Sequence, residues 1–120
     1  MKDEANKILQ LLIDHYGQSK FHNWLPTISI SDDDSLLSGE FRPDWQEIVL
    51  YTSALEYGPE QLATVINHEF IHYLQSPAWM TRYNKTHGYY DHPYEIEAYQ
   101  REEEWREIKR LSLLVSKSNT

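Results

Sequence analysis

No cysteine occurs among the 120 residues of the chain, so disulfide bonds and thiolate metal ligands are both excluded. A metal site in this protein would have to use histidine and carboxylate side chains. Because disulfides persist in oxidising compartments, their absence also agrees with a reducing compartment.

Basic residues are also scarce. Eleven lysines and arginines stand against 19 aspartates and glutamates, which gives a net charge of −8 and a pI of about 5.1. Nucleic-acid phosphates bind to basic surfaces. This balance therefore argues against DNA or RNA as a partner.

Long apolar runs are missing as well. No stretch has the length and apolar character of a membrane span, and residues 1–6 contain no apolar core of signal-peptide length. We therefore expect a cytoplasmic protein without a membrane partner. The sequence does not specify an oligomeric state.

The few glycines and prolines, four and five, form no linker between domains. An aromatic content of 13% is sufficient for a packed core. We therefore predict that residues 1–120 form one domain.

The first half of the chain predicts one helix and three short strands. An apolar stripe at helical spacing, formed by Ile8, Leu9 and Leu12, favours a helix over Lys2–Tyr16. Three strands are predicted over Leu25–Ser31, Leu36–Arg42 and Glu47–Thr52. The second contains a glycine and is expected at an edge, whereas the third has a continuous apolar run and is expected to be central.

The second half predicts two helices joined by a loop. Pro59 favours a helix start, and Pro77 follows the expected end near Gln75. On this helix the apolar side chains gather on one face, and His68 and His72 lie on the opposite face. A loop is predicted over Trp79–Asp91 and a final helix over Tyr94–Val115. These elements predict an α+β fold.

Residues 68–72, His-Glu-Phe-Ile-His, fit the pattern H-E-x-x-H on the predicted helix. Residues four apart lie on one face of a helix, so His68 and His72 could bind one metal ion together. Glu69 lies beside the first histidine, within reach of a water on that ion. The pattern therefore favours metal-dependent hydrolysis.

A catalytic zinc site uses three protein ligands and a water, so a third ligand must come from elsewhere. Glu95 and Glu97 are both candidates, and they point about 200° apart on a helix, so one alone can face the metal. His87 and His92 are further candidates. A metzincin-type site with three histidines needs a glycine-bearing spacing that Tyr73–Thr81 does not supply.

The combination of H-E-x-x-H with a later E-x-x-A, at residues 95–98, resembles the gluzincin zinc metallopeptidases. The element order resembles that of the minimal gluzincins (minigluzincins) over nearly the whole chain, and the motifs match at residues 68–72 and 95–98. The resemblance implies a zincin-like minimal domain with an N-terminal helix, a small sheet of about three strands, an active-site helix and a C-terminal glutamate helix.

Carried over to this chain, the resemblance implies that His68, His72 and Glu95 bind Zn²⁺ and that Glu69 is the general base. The expected activity is that of an endopeptidase, which hydrolyses bonds of a peptide or protein substrate with a zinc-activated water. Tyr99 departs from the family pattern, because related chains often carry an aspartate there to orient a histidine ligand.

The loop before Glu95 is expected to supply a hydrogen-bond donor for the transition state. Several of its residues are suitable, and we predict Tyr90 or His92 for this role. The substrate is expected to add as a strand along Leu37–Arg42. The alternative function is a catalytically weak or inactive zinc-binding interaction module on the same scaffold.

Overall fold

The computed structural model describes residues 2–33 and 35–118, and the side chains of that range up to residue 114. Within these residues the chain forms six helices, a three-stranded sheet and one short 3-10 turn. The elements in chain order are α1 Lys2–Tyr16, β1 Thr27–Ile30, β2 Gly39–Arg42, the 3-10 turn Pro43–Trp45, β3 Glu47–Leu50, α2 Thr52–Glu56, α3 Pro59–Leu74, α4 Pro77–Thr86, α5 Pro93–Arg101 and α6 Trp105–Ser118.

The sheet has the strand order β1-β3-β2 and is mixed. β1 runs parallel to β3, with Ile28 opposite Ile48, and β2 runs antiparallel to β3, with Phe41 also opposite Ile48. The continuous apolar run of β3 is buried at the centre, and β2 lies at an edge. The predicted α+β class and the positions of these two strands are confirmed, although each of the three strands is shorter than predicted.

The core lies around α3, against which α1, the sheet and α6 pack. It includes Leu12, Ile48, Ile66, Phe70 and Trp105. The predicted apolar face of α3 lies in this core and the two histidines lie outside it, but ten of the 16 residues of α3 are buried, and these include both polar and apolar side chains. Helices and strands on several sides of α3 bury it almost all round.

The predicted loop over Trp79–Asp91 is wrong in its first part, because α4 occupies Pro77–Thr86, and residues 87–91 alone are irregular. The side-chain oxygen of Ser76 accepts a hydrogen bond from the Trp79 amide at 3.3 Å, and Pro77 stands in the first turn. The Ser-Pro pair that ends α3 therefore also starts α4.

The predicted final helix is interrupted. α5 ends at Arg101, residues 102–104 form a turn, and α6 begins at Trp105. The Trp105 amide donates to Oδ1 of the buried Asn67 at 2.7 Å, and the indole N–H donates to Oγ1 of Thr64 at 3.0 Å. These bonds to α3 hold the chain where its direction changes.

Gly39 allows β2 to pack closely against α3. A Cβ atom at this position would lie 2.7 Å from Cγ1 of Val65 and 3.3 Å from Cγ of Glu69. The missing side chain therefore lets the edge strand lie directly beside Glu69.

Candidate metal centre

His68 and His72 on α3 and Glu95 on α5 come together at one point. One ligand atom of each lies within 4.8 Å of the others. Oε1 of Glu95 is 3.2 Å from Nε2 of His68 and 2.6 Å from Nε2 of His72. The three predicted ligands thus converge from two helices.

The outer nitrogen of His68 is bound by a residue that the sequence analysis did not consider. Nδ1 of His68 lies 3.0 Å from Oε2 of Glu102, in the turn after α5. Because a carboxylate can only accept a hydrogen bond, Nδ1 of His68 carries a proton and its N–H donates the hydrogen bond to Glu102. Nε2 of His68 is then the nitrogen that faces Glu95.

His72 has an equivalent partner in Gln75. Nδ1 of His72 lies 2.7 Å from Oε1 of Gln75. The amide group of Gln75 donates to the carbonyl of Tyr94 at 3.0 Å and to Oε1 of Glu97 at 2.7 Å. These two acceptors fix the amide orientation, so its oxygen must accept from Nδ1 of His72.

These outer bonds determine what the centre can hold. Because both Nδ1–H groups point outwards, the Nε2 lone pairs of the two histidines and one carboxylate oxygen of Glu95 face each other. Three electron-rich atoms this close together need a shared cation. Two imidazoles and one carboxylate are a ligand set used in catalytic zinc sites, and outer hydrogen bonds of this kind orient zinc-bound histidines. The residues present therefore fit zinc.

The charges around the centre agree with this arrangement. Burial lowers the pKa of His68 and His72, but the hydrogen bonds with Glu95 and the charge of Glu69 outweigh it and raise both pKa values. Burial raises the pKa of Glu95, and the two imidazoles outweigh it and hold that pKa far below its usual range. The cluster thus attracts positive charge, a proton or a metal ion.

Glu69 lies beside the histidines and is 7% exposed. Burial raises the pKa of its carboxyl group, and the positive charge of the two imidazoles opposes that rise. A carboxylate with a raised affinity for protons suits a general base. Its place next to the ligands is the one that the motif predicts.

A cleft crosses the centre and consists of two recesses. The larger recess has a volume of about 630 Å³ and the smaller one about 400 Å³. Leu37, Gly39, His68, Glu69 and Tyr89 line both. All three predicted ligands line the larger recess, and His68 also lines the smaller one.

The two residues predicted as transition-state donors are placed differently. Tyr90 is 93% exposed and lines the smaller recess but not the larger one. His92 is buried, accepts from the Tyr94 amide at 3.2 Å and donates to Oδ1 of Asn84 at 2.8 Å. His92 thus caps α5 with one nitrogen and contacts α4 with the other. A catalytic role for either residue stays a prediction.

Tyr89, in the same loop, is closer to the predicted ligands than Tyr90. It lines both recesses, and its hydroxyl lies 2.8 Å from the hydroxyl of Tyr99. Burial, this hydrogen bond and the charge of Glu95 all raise the pKa of Tyr89. Its hydroxyl therefore stays protonated and can act as a donor.

Glu97 and Tyr99 do not join the ligands. Glu97 accepts from Gln75, and the Tyr99 ring packs edge-on against His68 with the centroids 4.6 Å apart. Tyr99 does not replace the aspartate that related chains use to orient a histidine, because its hydroxyl bonds to Tyr89 and Nδ1 of His68 bonds to Glu102.

The sequence did contain a signal for the two missed partners. Glu102 follows Glu95 by seven residues, which is about two helical turns and places both on one face. Gln75 follows His72 by three residues, which is about one turn.

Comparison of this chain with protein-family models, with curated proteins and with solved structures gives no match. Among the described residues no helix is both long and apolar enough to cross a membrane.

Proposed function

We propose that the chain is a zinc-dependent endopeptidase of the gluzincin type. The observation that carries this proposal is the convergence of His68, His72 and Glu95. The Nδ1–H group of each histidine already donates a hydrogen bond to a partner outside the cluster. A buried Glu69 beside the ligands and a cleft across them support hydrolysis as well as binding.

The residues of the chain have separate tasks in this reaction. When bound, zinc polarises the scissile carbonyl and lowers the pKa of a water. Glu102 and Gln75 hold the imidazoles of His68 and His72 in position through their Nδ1 protons. Glu95 supplies the carboxylate and brings α5 against α3.

Glu69 moves the proton. Its carboxylate takes a proton from the attacking water and passes it to the leaving amine, and its burial favours the protonated form between these steps. The Tyr89 hydroxyl is the better placed donor for the oxygen of the substrate carbonyl, because it borders both recesses near Glu95.

Zinc content and hydrolysis after substitution test the proposal. Glu69→Gln should retain zinc and lose peptide hydrolysis by about 100- to 10,000-fold, the usual contribution of a general base. His72→Ala and Glu95→Gln should lose zinc after dialysis, as measured by atomic absorption. The exposed Glu103, which pairs with Arg106, gives a matched control in Glu103→Gln.

Two results would contradict this account in different ways. Full zinc occupancy in both His72→Ala and Glu95→Gln would overturn the ligand assignment. Zinc binding by the wild type without cleavage of any peptide in a broad library would instead favour the zinc-binding interaction module.

A further inference from the structure

Two recesses border the candidate metal centre, and residues other than the three predicted ligands line most of each recess. We propose that this cleft binds an internal, extended peptide segment with apolar side chains on both sides of the scissile bond. This inference rests on the proposed function and adds the class of substrate to it.

Most of the accessible lining surface of the larger recess is apolar, although polar side chains lie between the apolar ones. Phe41 and Pro43 border it from the end of β2, and Pro77 and Met80 border it from α4. His22 also lines it, and burial lowers the pKa of this imidazole, so the ring is uncharged at neutral pH. Methionine adapts to ligands of different shape. This recess therefore suits one bulky apolar side chain.

Glu40 is a charged residue in the lining of the larger recess, but its carboxylate is already bound. Oε2 of Glu40 accepts from the Tyr51 hydroxyl at 2.7 Å and from the Arg42 guanidinium at 3.4 Å. Both donors contact Oε2, and the Arg42 guanidinium offsets the charge of the carboxylate, so Glu40 does not require a basic substrate side chain.

The lining of the smaller recess is more polar, but its rim carries apolar side chains that are exposed to solvent. Leu36 is 107% exposed, and Leu37, Tyr90 and Tyr99 beside it are also exposed. Clustered apolar side chains at a protein surface commonly mark a binding site. Their position next to the candidate centre indicates that they contact the substrate on the other side of the scissile bond.

No lysine or arginine lines either recess among the described residues. A free terminal carboxylate would need such a cation for recognition. The cleft therefore suits an internal segment better than a chain end. The free edge of β2, which runs along this cleft, offers main-chain groups to an extended backbone.

Matched peptides with blocked termini test this inference on the zinc-loaded protein. One set carries leucine or serine on either side of the cleaved bond, and mass spectrometry of the products locates that bond. We expect kcat/KM to fall about tenfold for serine on either side, consistent with the loss of one buried leucine. Freeing the carboxyl terminus should not increase the rate.

Variants assign each preference to its recess. Leu36→Ser should remove most of the leucine preference on one side and keep the preference on the other, and Met80→Ser should do the reverse. Trp45→Ser is the matched control, because Trp45 is 71% exposed and lines neither recess. Preferences that are unchanged in Leu36→Ser and Met80→Ser would overturn the proposal, as would a requirement for a free terminus.

Binding separates this inference from the proposed function. The same peptides, labelled with fluorescein, are titrated against zinc-loaded Glu69→Gln and followed by fluorescence anisotropy. If the leucine preferences appear in binding while the wild type hydrolyses nothing, the binding cleft stands and the peptidase activity fails. If affinity does not depend on either position, the cleft assignment fails.

Discussion

Each imidazole of the candidate centre is held by one outer acceptor, and the two acceptors differ. His72 donates to Gln75, an amide fixed by Glu97 and Tyr94, whereas His68 donates to the carboxylate of Glu102. Glu102 lies in a turn, and among the described residues His68 is the one hydrogen-bond partner of its carboxylate. The position of His68 therefore depends more on a single bond.

Removal of Glu102 should weaken zinc binding without removing a ligand. We expect Glu102→Ala to lower zinc affinity by about 10- to 100-fold, the usual effect of losing an outer partner of a histidine ligand. Glu102→Gln should lie between this variant and the wild type, because the amide oxygen still accepts from Nδ1. Competition with a chromophoric chelator measures the affinity.

The neighbouring Glu103→Ala is the control, since Glu103 pairs with Arg106 at the surface. The d–d spectrum of the cobalt-substituted protein should change in Glu102→Ala and not in Glu103→Ala. Equal affinities for Glu102→Ala and the wild type would show that His68 does not need this carboxylate.

The positions of His68, Glu69 and His72 relative to one another could be predicted from the sequence, but the outer partners of the two histidines could not. H-E-x-x-H fixes the spacing of His68, Glu69 and His72 within one helix, so sequence alone places them together. Glu102 reaches His68 because α5 packs against α3 and ends in a turn. That packing depends on contacts 34 residues apart in the chain.

The close approach of β2 to α3 depends on the missing side chain at Gly39. Gly39→Ala would place Cβ 2.7 Å from Cγ1 of Val65, so we expect the free energy of unfolding to fall by about 1–3 kcal/mol. Gly88→Ala is the matched control, because its Cβ would have an ordinary contact at 3.4 Å with Asp91. Urea denaturation measures both.

A second substitution tests whether the steric contact is the cause. Val65→Ala removes the atom that the new Cβ would meet, so the destabilisation of Gly39→Ala with Val65→Ala should be smaller than the sum of the two single effects. Additive effects would mean that the cost of Gly39→Ala arises elsewhere, for example at the Val49 carbonyl 3.3 Å away.

The contact between α1 and the turn before α6 should respond to alkaline pH. Burial and a hydrogen bond to Glu104 raise the pKa of Tyr16 from 10.0 to about 12. The unfolded chain releases this proton near pH 10 while the folded chain retains it, so the free energy of unfolding should fall between pH 10 and 12.

Tyr16→Phe should remove this part of the alkaline destabilisation, as measured by urea denaturation across that pH range. Tyr57→Phe is the control, because Tyr57 is 73% exposed. If Tyr16→Phe and the wild type lose stability in parallel, the hydrogen bond to Glu104 does not contribute.

Among the elements, those with a regular apolar period were predicted best. The stripe through Ile8 and Leu12 gave the observed bounds of α1, and Gly17, with φ +75°, ends it. The polar and aromatic composition of α4 concealed its helix, although Ser76 and Pro77 form a standard helix start. The break before Trp105 has no glycine or proline and follows from bonds to α3.

On the scale of the whole molecule, the hydrophobic core and the candidate centre are separate. The main cluster joins α1, the sheet, α3 and α6, and it contains none of the three ligands. We therefore expect a chelator to remove zinc and leave the domain folded, with its helical circular dichroism signal retained. Zinc should raise the melting temperature only through its binding equilibrium.

Thermal unfolding with and without the chelator measures this difference. Loss of the cooperative transition on chelation would instead identify a structural zinc, whose binding free energy supplies the folding free energy. The His72→Ala variant should behave like the chelated wild type.

The interruption between α5 and α6 has a consequence for kinetics. Glu95 lies on a helix of nine residues with turns at both ends and one buried residue, Ala98, whereas both histidines lie on the most buried helix. Short units with few buried contacts open locally at a smaller free energy than the core. We therefore expect amide protons of α5 to exchange faster than those of α3. The rate at which metal enters and leaves would then follow this local opening, while the rest of the domain stays folded.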